Sequence, residues 1–410
     1  MKFFLNQSKL SFFIFLLLSA PFSLFSAEEQ AIEEVIATAK SIKASQMKAI
    51  EAKRISNNVA DIISADAIGR FPDQNLADAL GRIPGVSIER DQGQARYINF
   101  RGTPKRYTTI AFDGIDIPGT ENGRVPRFDS YPAVITSQVV ANKAITADMP
   151  GESISGYINV KTYRPSDNPG WTASFELGQG EQDLGGGDIE KANGRVGFSN
   201  DSWGILVFAS ENLREQMTQN REPEYGVVGE RLLTPDKIDF RNYLLERKDE
   251  AVGATLEAYL GNGGRVYYSH LSTQFDDFEE RNQFRFYAGA RAARKGYTMA
   301  PNVGSIPSTY IRRLLEFGEY HNETDMHTIG AEITVGEWDV TTTFSKIETF
   351  FDTWLPLPYY LRGVGTNFTY DLSNPQLPII TINENLADIS YPVAVVYTAQ
   401  AELKTDTDQF

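Results

Sequence analysis

A strict alternation of apolar and polar residues runs through several segments after Pro165 and constrains the fold more than any other feature. Successive side chains of a β-strand point to opposite faces of its sheet, so the pattern predicts strands with one apolar and one polar face. Repeated at strand length, the pattern is typical of a transmembrane β-barrel, although a soluble β-sandwich shares it. The clearest apolar positions are Trp171, Ala173, Phe175 and Leu177; Ala192, Gly194, Val196 and Phe198; Val252, Ala254, Leu256, Ala258 and Leu260; and Ile329, Ala331, Ile333 and Val335.

The connections between the predicted strands separate the barrel from the sandwich. Short turns are expected at 200–202, 262–264 and 336–337, and they alternate with long segments at 217–248, 281–323 and 354–391 that look too polar or irregular for strands. Outer-membrane barrels have tight turns at one rim and long loops at the other, whereas a sandwich gives no reason for such segregation. The sequence predicts about eight antiparallel strands, near 171–180, 190–199, 203–215, 249–261, 264–278, 324–335, 338–351 and 393–404.

The width of this barrel follows from what precedes it. Eight strands close a barrel whose bore is filled by its own side chains, which leaves no room for another domain inside. The last residues, Lys404–Phe410, stop where a turn to a further strand is expected. We therefore expect residues 166–410 to be the N-terminal part of a wider barrel.

The first 27 residues are predicted to be a signal peptide. Lys2 and Lys9 supply the positive charge, Leu10–Leu18 the apolar core, and Ser26–Ala27 the cleavage region. The apolar run is shorter than the roughly 20 residues that span a bilayer, so we expect export rather than a membrane anchor.

Residues 28–165 show mixed periodicities and predict a tail over 28–43 and an α+β domain over 44–165. Helices are expected at Ala44–Arg54 and at Asp73–Ile83, the second capped by Asp73. Short strands are expected at 86–89, 96–101, 108–112 and 155–162.

Composition excludes several classes of function. Lys and Arg number 39 against 54 Asp and Glu, a net charge of −15 that opposes binding to nucleic acid. The chain has no cysteine for disulfides, thiol catalysis or Cys-ligated metals. His270, His321 and His327 are too scattered to predict a haem or zinc site. We therefore expect no cofactor, no metal site and no enzymatic activity.

Several motifs in the N-terminal region together resemble a known family. FPDQNLADALGRIPGV at 71–86, INFRG at 98–102, FDGI at 112–115 and GYINVKT at 156–162 follow one another as in the plug domain of TonB-dependent outer-membrane receptors. The full sequences of these motifs are similar to those of a subclass that includes oligosaccharide importers. The segment EEVIATA resembles the TonB box, made up of Glu33, Glu34, Val35, Ile36, Ala37, Thr38 and Ala39.

This resemblance implies a plugged barrel of 22 strands, of which about eight are present here. It implies import of a nutrient, an oligosaccharide or a ferric siderophore, across the outer membrane of a Gram-negative bacterium. Energy would come from the inner membrane through the periplasmic C-terminal domain of TonB, to which the box adds a strand while the plug faces the periplasm. Outer-membrane lipid and lipopolysaccharide are the further expected partners.

Two sets of basic residues are candidates for contacts within this architecture. Plug-to-barrel contacts are expected from Arg82, Arg90, Arg96 and Arg101. Residues 281–313 hold basic and aromatic side chains without any Asp or Glu, which suits an anionic ligand or lipopolysaccharide phosphates. The candidates for ligand binding are Arg281, Arg285, Arg291, Arg294, Lys295, Arg312, Arg313 and Tyr297.

The alternative to an importer is a surface protein of the adhesin or phage-receptor type on a small closed barrel. That alternative predicts that deleting Glu33–Ala39 has no effect on the function of the protein.

Overall fold

The protein is represented by a computed structural model. It describes residues 42–56, 58–64, 75–119, 125, 127–147, 149–228, 231–261, 263–289, 300, 302–309, 311–355, 359–362, 366–374, 377–382, 385–386, 393–396 and 399–409.

Within its described residues, the N-terminal domain combines two α-helices with a five-stranded sheet and a separate hairpin. The sheet has the order β1-β6-β7-β4-β5, in which β4 and β7 are parallel and the other pairs antiparallel, while β2 pairs with β3 alone. The elements are α1 (Ile42–Ile55), β1 (Ala60–Ser64), α2 (Leu76–Leu80), β2 (Val86–Asp91), β3 (Gln94–Phe100), β4 (Thr108–Phe112), β5 (Ile115–Asp116), β6 (Thr136–Asn142) and β7 (Gly156–Thr162).

Helix α2 is shorter than its prediction at both ends and ends at Leu80 rather than at Ile83. The helix begins at Leu76, and its cap is Asn75, whose side-chain oxygen accepts a hydrogen bond from the Asp78 backbone N–H at 3.2 Å. The predicted cap at Asp73 is therefore wrong. Asn and Asp cap helices almost equally well, so the residue type at Asp73 did not reveal that the cap lies at Asn75.

The remaining strands form one long antiparallel sheet and one small sheet. They are β8 (Gly170–Glu181), β9 (Asp188–Ser199), β10 (Trp203–Val228), β11 (Arg231–Tyr259), β12 (Arg265–Tyr287), β13 (Val303–Thr309), β14 (Ile311–Val335), β15 (Trp338–Leu355), β16 (Tyr359–Arg362), β17 (Thr366–Asp371), β18 (Ile379–Ile382), β19 (Val393–Val396) and β20 (Ala399–Gln409). Eight long strands, β8, β9, β10, β11, β12, β14, β15 and β20, pair in that order, which confirms the predicted number. Strands β13, β17 and β18 form the small sheet.

The long sheet has two chemically different faces. On one side Leu271, Met326 and Ile347 are buried in the same apolar cluster as the core of the N-terminal domain, so this side faces the domain. The opposite side, called here the outward face, exposes large apolar side chains such as Leu177 (85% exposed) and Ile329 (56%). The period of two read from the sequence produces this division.

Two of the predicted long segments are largely strand. Strands β10 and β11 pair continuously from Trp203↔Ala258 to Glu224↔Lys237 and, past two register irregularities, reach Val228↔Arg231. The two ends of the region 281–323 likewise form parts of β12 and β14. The prediction that these segments are too polar for strands is wrong, because cross-strand pairing satisfies the backbone whether or not either face is apolar.

The last predicted strand, 393–404, is also two elements. Residues 393–396 form β19, which pairs with β16, and residues 399–409 form β20, which pairs with β15. Among the described helices, none has both the length and the apolar character required to cross a membrane.

Candidate functional site at the junction of domain and sheet

The β2–β3 hairpin of the N-terminal domain ends in a tight two-residue turn. Gln92 and Gly93 both have positive φ, 49° and 87°. Positive φ at both central residues is the geometry of a type I′ turn, which matches the twist of the flanking strands. The turn presents the backbone and side chain of Gln92 at the tip, where they meet the long sheet.

Arg247 of β11 binds this tip from the sheet. Its guanidinium donates to the side-chain oxygens of Gln94, at 2.7 Å, and of Gln92, and it pairs with Asp277 at 3.0 Å. The Arg247 side chain is only 4% exposed. Hydrogen bonds from a buried charged donor are stronger than neutral ones, so this contact ties the hairpin firmly to the sheet.

Two further side chains of the sheet form hydrogen bonds with the hairpin tip. The Gln216 amide donates to the Gln92 carbonyl at 2.8 Å, and the Gln92 amide donates to Glu279 at 2.6 Å. Gln216, Arg247 and Glu279, from β10, β11 and β12, are called here the clamp. Because three strands hold one residue, the position of the hairpin depends on the packing of the sheet.

A buried ion pair lies beside the clamp. Arg127 and Asp129 are 3% and 1% exposed and are joined at 2.7 and 3.0 Å, and the Arg127 guanidinium also lies over the Phe275 ring at 4.5 Å. Burial alone would raise the pKa of Asp129, but Arg127, with Arg96 and Arg247, holds that pKa below its usual value. The carboxylate therefore stays ionised, and the N-terminal domain presents a fixed charge pair to the long sheet.

Other contacts spread the junction over the sheet. Arg195 donates to the Val134 carbonyl at 3.1 Å, and the Asp116 backbone exchanges two hydrogen bonds with the Gln409 side chain at 2.7 and 3.2 Å. Burial raises the pKa of Tyr131 to about 12, against a hydrogen bond to Thr324 that lowers it. The junction thus combines an apolar centre with separate polar contacts.

A cavity of about 460 Å³ opens between the hairpin and the sheet. Its walls carry four carboxylates and two guanidiniums next to two aromatic rings, and the tip residue Gln92 is part of them. Such a mixed lining can hydrogen-bond a polar solute and bring it against the clamp. The charged and aromatic lining residues are Asp91, Arg96, Arg127, Asp277, Glu279, Tyr320, Phe351 and Glu402.

The structure neutralises part of the predicted cationic ligand site. Arg281 pairs with Glu316, and Arg285 binds Asp239 through two hydrogen bonds of 2.6 and 2.7 Å. Acids absent from residues 281–313 are therefore supplied by neighbouring strands through cross-strand pairing.

The remaining predicted ligand residues are placed differently. Arg312 lies opposite Arg285 in the register, with its guanidinium over the Tyr287 ring at 4.9 Å, whereas Arg313 lies over Phe284. Adjacent residues of a strand point to opposite faces, so Arg312 and Arg313 do not act together. Arg291, Arg294, Lys295 and Tyr297 lie outside the described residues.

The predicted plug arginines have partners mainly within the domain. Arg90 pairs with Asp78 at 2.8 Å, and Arg101 donates to the Lys143 carbonyl at 2.7 Å. Arg96 pairs with Asp91 and also lines the cavity, where it approaches the sheet. Arg82 is half-buried beyond α2. The clamp residues were missed because they are uncharged or far apart in sequence, and only the fold brings them together.

The predicted signal peptide and the segment Glu33–Ala39 lie outside the described residues. Two of the histidines that predicted no metal site from the sequence, His270 and His327, lie directly opposite each other on β12 and β14.

Comparisons with known proteins identify the N-terminal domain. Residues 35–157 match the family model of the TonB-dependent receptor plug domain. The chain therefore carries a TonB-dependent receptor plug followed by an antiparallel sheet, which confirms the resemblance and the fold class inferred from the sequence. The matched family is one of receptors and transporters rather than enzymes.

Solved structures of similar proteins were also found. They include the ferric citrate transporter FecA in its unliganded form (13% identity, 87% of this chain and 61% of that chain, TM-score 0.36). Two others are the siderophore receptor PirA from Acinetobacter baumannii (10%, 82% and 60%, 0.35) and the ferric yersiniabactin uptake receptor FyuA from Yersinia pestis (10%, 86% and 61%, 0.35). The chain spans about three fifths of the length of these structures. The search of curated proteins returned no match.

Proposed function

We propose that this chain is the N-terminal part of an outer-membrane receptor that imports a nutrient with energy transmitted through TonB. The observation that carries the proposal is a plug domain whose hairpin tip is held by the clamp on the inner side of an antiparallel sheet. The apolar outward face of that sheet supports a location in the outer membrane, with lipid and lipopolysaccharide around it.

The plug contacts have the character that a releasable plug requires. The polar contacts at the clamp involve few side chains, and each hydrogen bond contributes on the order of 1–3 kcal/mol. A pull on the N-terminal tail can break such contacts one after another. The cavity beside the clamp then becomes the start of a passage.

The proposed partner on the periplasmic side is the TonB C-terminal domain, bound at Glu33–Ala39. Val35, Ile36 and Thr38 favour extended structure, and strand addition binds through backbone hydrogen bonds. Proline lacks the backbone N–H, so Ile36→Pro should weaken binding of the TonB domain at least tenfold, whereas Ile36→Val should not. The measurement is titration of the detergent-solubilised receptor with that domain.

The cargo is proposed to be a ferric siderophore or an oligosaccharide. Uptake of an iron-55-labelled siderophore panel and of fluorescent oligosaccharides is measured in cells that rely on this receptor. We expect one class to be accumulated, and accumulation to be lost with Ile36→Pro at an unchanged level of receptor in the membrane. Uptake that is indifferent to Ile36→Pro would contradict energy coupling through the box.

A further inference from the structure

Three residues on the outward face of β12 and β14 form a compact group of metal-binding side chains. His270 and His327 are cross-strand partners whose rings stack with centroids 4.5 Å apart and planes at 11°. Asp325, two residues before His327, faces the same way. The pairing register of the sheet creates this group, which is invisible in the sequence.

The potential ligand atoms converge on one point. Asp325 Oδ2 lies 3.0 Å from His270 Nε2, and Asp325 Oδ1 lies 2.8 Å from His327 Nε2. The candidate ligand atoms of the three residues all lie within 4.8 Å of one another. In a tetrahedral zinc site with bonds of about 2.0–2.1 Å, ligand atoms are about 3.3 Å apart, so small side-chain rotations suffice.

The second ring nitrogen of His327 is also held in place. Its Nδ1 lies 2.8 Å from the Tyr268 hydroxyl. A histidine that binds a metal through Nε2 commonly uses Nδ1–H as a donor to an oxygen, and this contact fixes the ring and its tautomer. Tyr268 is therefore a positioning residue for His327.

The surroundings favour a cation and give it access. The side chains of His270, Asp325 and His327 are 29%, 39% and 48% exposed. Glu348 lies opposite Asp325, and the neighbouring Lys346 is already paired with Glu348 at 2.7 Å. The carboxylates thus outnumber the ammonium group, and the local field attracts positive charge.

The group also lies at a chemical boundary of the outward face. Toward the short turns, the neighbouring outward residues are apolar, Ile329 and Phe344. Beside the group on β15 lie the charged residues Lys346 and Glu348, opposite His327 and Asp325, and the next outward residue of β14 in the other direction is Glu323. An ion here is reachable from water while it joins two strands at the end of the apolar band.

We propose that His270, Asp325 and His327 bind one Zn²⁺ or a similar divalent transition metal, with water as the remaining ligand. Two imidazoles and one carboxylate are a donor set that suits zinc and excludes magnesium and calcium as preferred ions. The ion joins β12 to β14 on the outward face and stabilises the sheet there. This proposal does not depend on the proposed import function.

The test is calorimetric titration of the detergent-solubilised protein, purified without a polyhistidine tag, with ZnCl₂ alone. We expect one ion per chain and at least tenfold weaker binding for His270→Gln, His327→Gln and Asp325→Asn. Tyr268→Phe should weaken binding less than these variants do, while retaining the stoichiometry. Zinc should also raise the melting temperature of the unmodified protein, but not that of His327→Gln.

The matched control is His321→Gln, the remaining histidine of the chain, whose two ring nitrogens contact Asp276 and Glu323 on the same sheet. Its zinc affinity should equal that of the unmodified protein. Absence of binding, or an equal loss in His321→Gln and His327→Gln, overturns the proposal. If His270→Gln does not fold, as judged by circular dichroism, His327→Gln and Asp325→Asn decide the outcome.

Discussion

Replacing Arg247 with methionine should loosen the plug hairpin without unfolding the plug. The substitution keeps an unbranched side chain but removes the hydrogen bonds to Gln92 and Gln94 and leaves Asp277 without that cation. The ion pair with Asp277 lies within the long sheet and does not contribute to opening of the hairpin. Hydrogen bonds to charged groups contribute about 1.5–3 kcal/mol each, so with two of them lost we expect the free energy of opening the hairpin to fall by about 3 kcal/mol.

Amide hydrogen exchange followed by mass spectrometry measures this change. A loss of about 3 kcal/mol corresponds to roughly 100-fold faster exchange where the rate reports the opening equilibrium. The acceleration should be confined to peptides covering β2 and β3, whereas peptides covering β4 should be unaffected, because β4 lies in the other sheet of the plug.

Arg241→Met is the matched control, since the described partners of Arg241 are Glu222, Asp239 and Tyr243 of the long sheet. It should leave exchange in β2 and β3 unchanged. Two results would refute the reasoning: unchanged exchange in Arg247→Met, or equal acceleration in β4, which would mean that the plug unfolds as a unit.

Three further predictions concern the plug and the outward face. Gly156→Ala should lower the yield of folded protein by destabilising the plug by roughly 3 kcal/mol, because Gly156 has φ of 147° and a Cβ there would approach the Asn142 carbonyl oxygen to 2.6 Å. Burial, with a contribution from Glu152, raises the pKa of Asp116 to about 6 from 3.8, so the folded state holds this proton more tightly than the unfolded state. The contribution of Asp116 to stability is then complete below about pH 4 and is lost as the pH rises to about 6, and melting temperatures should show this decline in the unmodified protein but not in Asp116→Asn. Phe175→Lys, on the outward face, should reduce the amount of protein recovered in the outer membrane, as measured by fractionation, since a lysine facing lipid costs about 2–4 kcal/mol.

Matched substitutions separate these effects from general damage. Gly151→Ala adds a Cβ with nothing within 4 Å and should keep the yield. Ser174→Lys places the same charge on the opposite face of β8 and should keep membrane recovery. Equal losses in Gly151→Ala or Ser174→Lys would show that position does not matter and would contradict the assigned geometry.

The parts of the fold that depend on local pattern were predictable. Alternation in segments such as Trp171–Leu177 fixed which side chains face outward, and it yielded the eight long strands. Strand β4 was predicted at its observed bounds, Thr108–Phe112, because turn residues flank it on both sides. Local sequence is sufficient where one face of an element must be apolar.

The lengths of the strands were not predictable in the same way. The polar residues 217–228 and 231–248 pair with each other across most of their length. Beyond the apolar band neither face has to be hydrophobic, so the alternation that marks a strand disappears although the hydrogen-bonded ladder continues. Long loops were predicted there because the alternation of apolar and polar residues was absent.

The candidate sites depend on register, which a single sequence does not contain. Arg285 looked unpaired because Asp239 is 46 positions away, and His270 and His327 looked unrelated for the same reason. The clamp residue Arg247 carries no local signal that distinguishes it from an ordinary solvated arginine. Pairing of distant strands supplies the missing information. It also explains why acidic residues from outside 281–313 neutralise part of the cationic site predicted there.

The position of β1 has a mechanical consequence. Among the described residues it is the first strand, and it lies at the edge of the plug sheet, where it pairs with β6 over Ala60–Ser64. Tension applied to the tail would reach this five-residue ladder through α1, and rupture of the ladder would leave β6, β7, β4 and β5 joined. The five residues already span about 17 Å at a rise of about 3.4 Å each, so rupture of the ladder frees only this short length of chain to reorient. Under the proposed pull from TonB, opening of the plug would therefore begin at a single edge strand, which re-pairing could restore.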